Sequence, residues 1–220
     1  AQNDYSKALD YFKKSLKLDL SFFGENHPSV ASGYYNIGYV YFAQGDYSKA
    51  LEYFEEVLKI RLSVYGENHS RVASVYNDIG EIYSVQGDDF KALDYFKKSL
   101  KIVLSVYGEN HSQVSSIYDH IGEVYFAQKD YSKALYYFEE SLKIRLSLFG
   151  ENHPEVALSY YSIGSLYIIQ GDKSKALNYY EKSLKIRLSV YGENHPLTKE
   201  IMDLINVANS KVLQSPETTK

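Results

Sequence analysis

The chain repeats itself at a fixed interval of 42 residues. The tetrapeptide Gly-Glu-Asn-His occurs five times, beginning at Gly24, Gly66, Gly108, Gly150 and Gly192. A second block keeps the same spacing, from "DYSKALDYFKKSLKL" at Asp4 to "DKSKALNYYEKSLKI" at Asp172. A constant period of about 20–50 residues is typical of arrays in which one small structural unit stacks on the next.

Each period predicts two helices joined by a short turn. In residues 70–85, the apolar residues Val72, Tyr76, Ile79 and Tyr83 share one helical face. Gly87 then fits a helix C-terminus and Asp88 a helix N-cap, and residues 92–104 repeat the helical spacing. With an initial helix near residues 4–22, the pattern predicts ten helices and an all-α fold.

Small and large residues alternate at fixed places in the repeat. Glycine recurs in the first helix of each pair and alanine in the second, as at Gly80 and Ala92, while rings recur beside them, as at Tyr83 and Phe96. Glycine inside a helix costs roughly 0.5–1 kcal/mol relative to alanine. Its recurrence therefore predicts close approach of paired helices, with the rings filling the space between them.

This arrangement resembles the tetratricopeptide repeat. The sequence Tyr34, Ile37-Gly38, Tyr41, Ala50 and Phe54 follows that family's order, and the later copies match in the same way. The 42-residue period exceeds the family's usual length of about 34. Together with the Gly-x-x-His-Pro turns at 24–28 and 150–154, this resembles the kinesin light chain type of repeat. The resemblance implies a right-handed α-solenoid of antiparallel helix pairs whose first helices line a concave surface.

The period also predicts the organisation of the chain. Residues 1–213 form one array with a partial repeat, four full repeats and a C-terminal capping helix, and residues 214–220 form a disordered tail. The predicted boundaries are 1–26, 27–68, 69–110, 111–152, 153–194 and 195–213.

Composition narrows the classes of partner. The formal net charge is −4, without the basic stripe that nucleic-acid binding requires, and there is no cysteine. No apolar stretch approaches the roughly 20 residues of a membrane span, and no secretory leader is visible. We therefore expect a cytoplasmic protein that binds neither nucleic acid nor a membrane.

The histidine of each Gly-Glu-Asn-His turn is a candidate metal ligand. His27 and its copies lie one per turn, at the start of the next helix, and neighbouring turns are separated by a helix pair. Zinc needs three or four ligands at about 2 Å, so we expect these histidines to cap or pack the turns, with no metal and no cofactor. His120 lies on a first helix, where either ligand contact or simple solvation would explain it.

Paired carboxylates are the remaining chemical candidates. Asp78 with Glu81, and Asp119 with Glu123, stand three and four residues apart on first helices. Acid–base catalysis needs such pairs in a closed pocket with separated pKa values. An open array offers no lid, and no nucleophile or phosphate-binding loop accompanies the pairs, so we expect no enzymatic activity.

One stripe of the first helices, beside the unchanging core face of the repeat, differs from copy to copy. It is aromatic in the first full copy, acidic in the next two and apolar in the last, and it predicts a ligand-binding groove. No lysine or arginine lies within the stripe. The candidate residues are Tyr35, Asn36, Tyr39, Phe42, Asn77, Asp78, Glu81, Asp119, His120, Glu123, Phe126, Tyr161 and Ser165.

These patterns predict a protein-interaction scaffold or adaptor. Exposed rings on one helical stripe are typical of an interaction surface, and the acidic middle favours a peptide with Lys or Arg and an apolar anchor. The alternative is a structural self-assembly module. It follows from the helix at residues 4–22, which begins inside a repeat and leaves an apolar side that could stack on another chain.

Overall fold

The computed structural model describes residues 2–210, with side chains from Asp4 onward. These residues form ten helices and, within that range, no strand, which confirms the predicted all-α class. The helices fall into two compact units. The first holds α1 (Gln2–Phe23), α2 (Pro28–Ala43), α3 (Tyr47–Tyr65), α4 (Ser70–Val85) and α5 (Asp89–Tyr107). The second holds α6 (Ser112–Ala127), α7 (Tyr131–Phe149), α8 (Pro154–Ile169), α9 (Lys173–Tyr191) and α10 (Pro196–Ser210).

Within each unit, every helix packs on the next one along the chain. We call the even-numbered helices first helices and the odd-numbered helices second helices, so that α2 and α3 form one pair and α4 and α5 the next. The helix α10 lies within residues 195–213, the interval predicted for a capping helix. Residues 211–213 of that interval and the predicted tail at 214–220 lie outside the described residues. The single-array assignment and its repeat boundaries stay predictions.

The Gly-Glu-Asn-His turns end one helix and begin the next. Gly66 has a φ of +78°, which favours glycine, and its N–H donates to the Leu62 carbonyl over 3.0 Å. His69 is the N-cap of α4: its Nδ1 accepts from the Arg71 N–H at 3.1 Å, and its ring stacks on Tyr65 at 4.5 Å. The predicted place of the histidines at the helix boundary is confirmed, and their Nδ1 atoms are engaged in capping.

The other turn of each repeat uses an aspartate. Asp88 is the N-cap of α5 and accepts from the Lys91 N–H at 3.2 Å. Asp46, Asp130 and Asp172 cap the equivalent helices in the same way. An unpaired N–H group at a helix start is thus satisfied by a side-chain oxygen in each of these pairs.

The predicted close approach of paired helices is confirmed. A Cβ atom added to Gly80 would lie 2.7 Å from two ring carbons of Phe96, and Phe96 itself is only 1% exposed. Gly122 meets Phe138 at the same 2.7 Å in the second unit. Ala92 and Ala134 are fully buried beside these rings. This packing fixes which side of each first helix is left for other contacts.

Candidate functional site

The predicted stripe is divided between the two units. The seven candidates from Tyr35 to Glu81, Asn36 among them, lie on α2 and α4, and the six from Asp119 to Ser165 lie on α6 and α8. Each unit therefore carries its own portion of the stripe.

The aromatic end of the stripe is exposed only in part. Tyr39 is 57% exposed and stands 6.4 Å, centroid to centroid, from the half-buried Phe42, whose ring contacts Tyr47 at 5.8 Å. Phe42 and Tyr35 were expected to be exposed like Tyr39, but both are half-buried. The Tyr35 ring packs on Phe54 at 5.4 Å, and the Arg61 guanidinium lies over it at 5.2 Å.

Asp78 is a half-buried carboxylate rather than a fully exposed charge. Its Oδ2 atom is shielded from solvent and accepts no hydrogen bond. Burial, followed by the negative charge of Glu81, raises the pKa of Asp78 to about 7, although Tyr35 and Arg61 lower it. Burial and then the charge of Asp78 raise the pKa of Tyr35 in turn. At neutral pH, Asp78 is therefore only partly ionised.

The neighbouring acid of α4 is held by an amide. The Asn77 Nδ2 donates to Glu81 Oε1 over 2.6 Å, and both residues are half-buried. Burial raises the pKa of Glu81, and the Asn77 hydrogen bond partly opposes this rise. Glu81 is therefore partly withdrawn from solvent and is held by an amide of the protein itself.

In the second unit, Asp119 has a cationic partner. Its Oδ2 lies 2.7 Å from Nη1 of Arg145, which is only 4% exposed and also reaches Glu155 at 3.1 Å and the Ser159 hydroxyl at 2.8 Å. Burial raises the pKa of Asp119 while Arg145 opposes that rise. The expectation that the acidic stripe awaits a cation from a ligand is wrong for Asp119, because α7 supplies one.

His120 is only partly exposed to solvent. It is half-buried, and burial, followed by the nearby charge of Arg145, lowers its pKa to about 4. The ring is therefore neutral near pH 7. Glu123 is exposed, and Phe126 packs edge-on against Tyr131 at 5.9 Å.

The last two candidates are tied into the protein. Tyr161 lies under the Arg187 guanidinium at 4.9 Å and donates its hydroxyl hydrogen to Glu200 over 3.1 Å. The Ser165 hydroxyl donates to the Tyr161 carbonyl at 2.9 Å and lies 3.1 Å from the Tyr180 hydroxyl.

The roles of three arginines on the second helices were not predicted from the sequence. Arg61, Arg145 and Arg187 occupy one register of the repeat, where α5 has Val103. Arg61 donates to the Arg71 carbonyl at 2.8 Å and Arg187 to the Leu197 carbonyl at 2.6 Å, each tying a second helix to the start of the next first helix. A recurring charge between apolar neighbours, as in Ile60-Arg61-Leu62, was the available signal.

The described residues show neither a metal-binding group nor a membrane-spanning helix. No three or more histidine and acidic side chains converge into a metal-binding group among residues 4–210. Within the part of the chain that the structure describes, no helix combines the length and apolar character needed to cross a membrane.

Helices that pack in sequence as antiparallel pairs within each unit define a helical repeat protein. The tetratricopeptide repeat profile matches residues 1–63, 29–105, 71–147 and 114–189. The chain therefore belongs to the tetratricopeptide repeat family. No curated protein matches the sequence significantly.

Solved structures share this fold. BtubC (BKLC) from P. vanneervenii superposes with a TM-score of 0.75 at 17% identity, over 98% of this chain and 95% of that one. A P. anserina putative kinesin light chain with nearly identical TPR-like repeats gives a TM-score of 0.71 at 16% identity, over 86% of this chain and 90% of that one. At these identities the likeness concerns the fold alone, and it supports the resemblance to long kinesin light chain-like repeats.

Proposed function

We propose that this chain is a scaffold or adaptor that binds peptide segments of other proteins along its first helices, without catalysis of its own. The observation that carries the proposal is Tyr39, a large ring with 57% exposure in the C-terminal half of α2. Membership of an interaction-repeat family supports it. A cytoplasmic location completes the proposal, since a chain without cysteine needs no oxidising compartment for disulfides.

Tyr39 and Phe42 supply an apolar anchor site. Phe42 contacts both Tyr39 and Tyr47, so the exposed Tyr39 ring belongs to a small aromatic cluster. A large apolar side chain of the ligand would cover that face, and burial of apolar area is worth about 25 cal/mol per Å². Such an exposed ring is the kind of surface that usually marks an interaction.

The ligand would also carry Lys or Arg near its middle. In each unit one stripe carboxylate supports this preference: Glu81, which is half-buried, and Glu123, which is exposed. Asp78 and Asp119 contribute less, because the first is partly protonated and the second is paired with Arg145. Binding should weaken with salt, since the remaining charges are partly exposed and screened.

A peptide display against the purified chain tests the proposal. We expect selected peptides to combine a basic residue with a large apolar one, and their affinity to fall at least tenfold for the double variant Tyr39→Ala, Phe42→Ala. Phe90→Ala is the matched control, because Phe90 is 83% exposed but lies on the second helix α5. Selection of acidic peptides, or equal binding by all three proteins, would remove the groove proposal.

The charge component has its own test. Glu81→Gln keeps the hydrogen-bond acceptor for Asn77, and Glu123→Lys changes an exposed position, so this double variant should remain folded. We expect it to lose affinity for basic peptides at low salt and to lose less at high salt. An unchanged affinity at low salt would show that the stripe carboxylates do not contact the ligand.

Self-assembly through α1 is the second candidate. Leu18 is 59% exposed, whereas residues at its register in the other second helices, such as Ile60 and Ile102, are 3% and 5% exposed. Stacking of α10 from a second copy on this face is disfavoured, because Asn206 stands where Gly80 allows close approach. Sedimentation across a concentration series tests it: association that Leu18→Lys abolishes would support self-assembly, and a strict monomer would exclude it.

A further inference from the structure

A cleft between two tyrosine rings recurs in every helix pair of both units. One ring comes from the first helix and one from the second, and their centroids lie 5.7–6.0 Å apart at angles of 45–53°. The four pairs of rings are Tyr34 with Tyr53, Tyr76 with Tyr95, Tyr118 with Tyr137, and Tyr160 with Tyr179. We call each of these a tyrosine cleft.

In two of the clefts, the ammonium group of an exposed lysine on the second helix lies over the rings. The Lys98 ammonium lies 6.0 Å from the centre of Tyr76 and 4.8 Å from that of Tyr95. The Lys182 ammonium lies 5.5 Å and 5.2 Å from its two rings. Cation–π attraction operates within about 6 Å of a ring centroid. The chain itself thus shows that an ammonium group fits a tyrosine cleft.

The cleft of α6 and α7 lacks its lysine. The register of Lys98 and Lys182 holds Glu140 here, and a cavity of about 380 Å³ opens beside Tyr118, Tyr136 and Glu140. Tyr136 is 58% exposed and packs edge-on against Tyr137 at 5.2 Å, which adds a third ring. Glu109 also lines the cavity. After burial, the charges of Tyr136, Glu140 and Glu109 raise the pKa of Tyr118, so both carboxylates act on its hydroxyl.

We propose that this cavity binds the ammonium group of a lysine side chain on a partner protein. Tyr118 and Tyr136, which line the cavity and both pack on Tyr137, would contact the cation and its methylene stem, and Glu109 and Glu140 would neutralise its charge. The partner's lysine would occupy the place that Lys98 and Lys182 occupy in their own clefts. The site shares no residue with the Tyr39 surface and so does not depend on the proposed groove.

Lys143 also lines the cavity, but it does not block a second ammonium. Its Nζ lies 3.6 Å from Glu140, and its side chain is 76% exposed. Lys101 and Lys185 stand at the same register in the clefts of Lys98 and Lys182, and there they coexist with those lysines. The position of Lys143 is therefore compatible with a bound lysine.

The cleft of α2 and α3 provides an internal comparison. Glu56 replaces the lysine there too, and Glu25 and Glu56 both raise the pKa of Tyr34 after burial. However, Glu52 stands at the register of Tyr136, so this cleft has two rings instead of three. We expect it to bind a lysine more weakly than the α6–α7 cleft.

The probe for the test is Nα-acetyl-lysine methylamide, followed by proton NMR. Its ε-methylene protons should shift upfield and saturate as the chain is added, because they would lie over the tyrosine rings. The control probe is its Nε-acetyl derivative, which keeps the stem and loses the charge. We expect the control to shift at least tenfold less at the same concentration.

Glu140→Lys is the decisive variant. It should place the chain's own ammonium over the rings, as in the clefts of Lys98 and Lys182, and reduce probe affinity at least tenfold while the fold is retained. Glu139→Lys changes the net charge equally at an exposed neighbouring position and should keep binding. Tyr136→Glu should weaken binding severalfold, towards the α2–α3 cleft. Equal binding of the neutral probe, full binding by Glu140→Lys, or equal losses in the two lysine variants would each overturn the proposal.

Discussion

Asp78 in the first unit and Asp119 in the second are both stripe carboxylates near an arginine of a second helix. Asp119 makes a 2.7 Å contact with Arg145, which is itself nearly fully buried. For Asp78, Arg61 is only one opposing influence on the pKa, and the Asp78 Oδ2 accepts no hydrogen bond. Arg61 and Arg145 occupy the same register of their second helices. Asp119 lies on α6, the first helix paired with the helix of Arg145. Asp78 lies on α4, the first helix that follows the helix of Arg61.

This difference shows what the arginine register does. Arg61 and Arg187 bind a backbone carbonyl at the start of the next helix, whereas Arg145 binds Glu155 at the same register. The arginine therefore connects consecutive helices, and the stripe residue near it varies as Tyr35, Asp119 or Tyr161. Where Val103 replaces the arginine, the neighbouring Asn77 instead holds Glu81. The acidic residues of the stripe thus have interaction partners within the protein itself.

The largest expected effect is a loss of stability when the glycine at the close helix contact, a feature of both units, is replaced by a larger residue. Gly80→Leu should destabilise the first unit by about 3 kcal/mol, because even a Cβ atom would lie 2.7 Å from the buried Phe96 ring. Gly122→Leu should cost the second unit a similar amount, since Phe138 stands equally close. Urea unfolding followed by circular dichroism measures both. An unchanged midpoint for either variant would contradict the packing role of these glycines.

The second expected effect compares the loss of Arg145, which contacts Asp119, with the loss of Arg61, which lies near Asp78. Arg145→Met should cost about 2 kcal/mol, below the roughly 3–5 kcal/mol of fully buried pairs, because Asp119 keeps some solvent contact. Arg61→Met should cost about 1 kcal/mol, the worth of its hydrogen bonds to Arg71 and Ser74. The same urea titration compares the two variants. If Arg61→Met costs as much as Arg145→Met, the two carboxylates are not held differently.

The third effect is a gain in stability that depends on pH. The pKa of Asp78 is about 7 in the folded chain, above its ordinary value near 3.8. The folding stability that this group contributes is therefore fully present below about pH 4 and is lost as pH rises through 7. Asp78→Asn removes the cost of burying the ionised group. We expect it to stabilise the chain by about 1–2 kcal/mol at pH 8, and by less at pH 5. Equal effects at the two pH values would argue against a raised pKa.

The repeat fold and its turns were predictable because each depends on local spacing. Gly80 opposite Phe96, the Asp88 cap and the His69 boundary all follow from residues within one period. The electrostatics of the stripe were not predictable in this way. Arg145 meets Asp119 from 26 positions along the chain, and the groups that act on the pKa of Asp78 include Tyr35 of α2 and Arg61 of α3. Spacing on one helix reveals which residues share a face, but it does not reveal which side chains a neighbouring helix brings to them.

The smallest expected effect concerns the histidine caps, which occur in both units. His69→Ala removes the Nδ1 acceptor for the Arg71 N–H and the ring that stacks on Tyr65, and it should cost about 1 kcal/mol. His153→Ala should cost the same, because His153 caps α8 and stacks on Phe149 at 4.4 Å. His69→Asn restores a side-chain acceptor and should recover about half of the loss. Zinc titration by calorimetry should give no stoichiometric signal, since Nδ1 is already committed to the cap and the turns supply one histidine each. A signal that His69→Asn abolished would make the turn a metal site and would leave its capping geometry as a secondary feature.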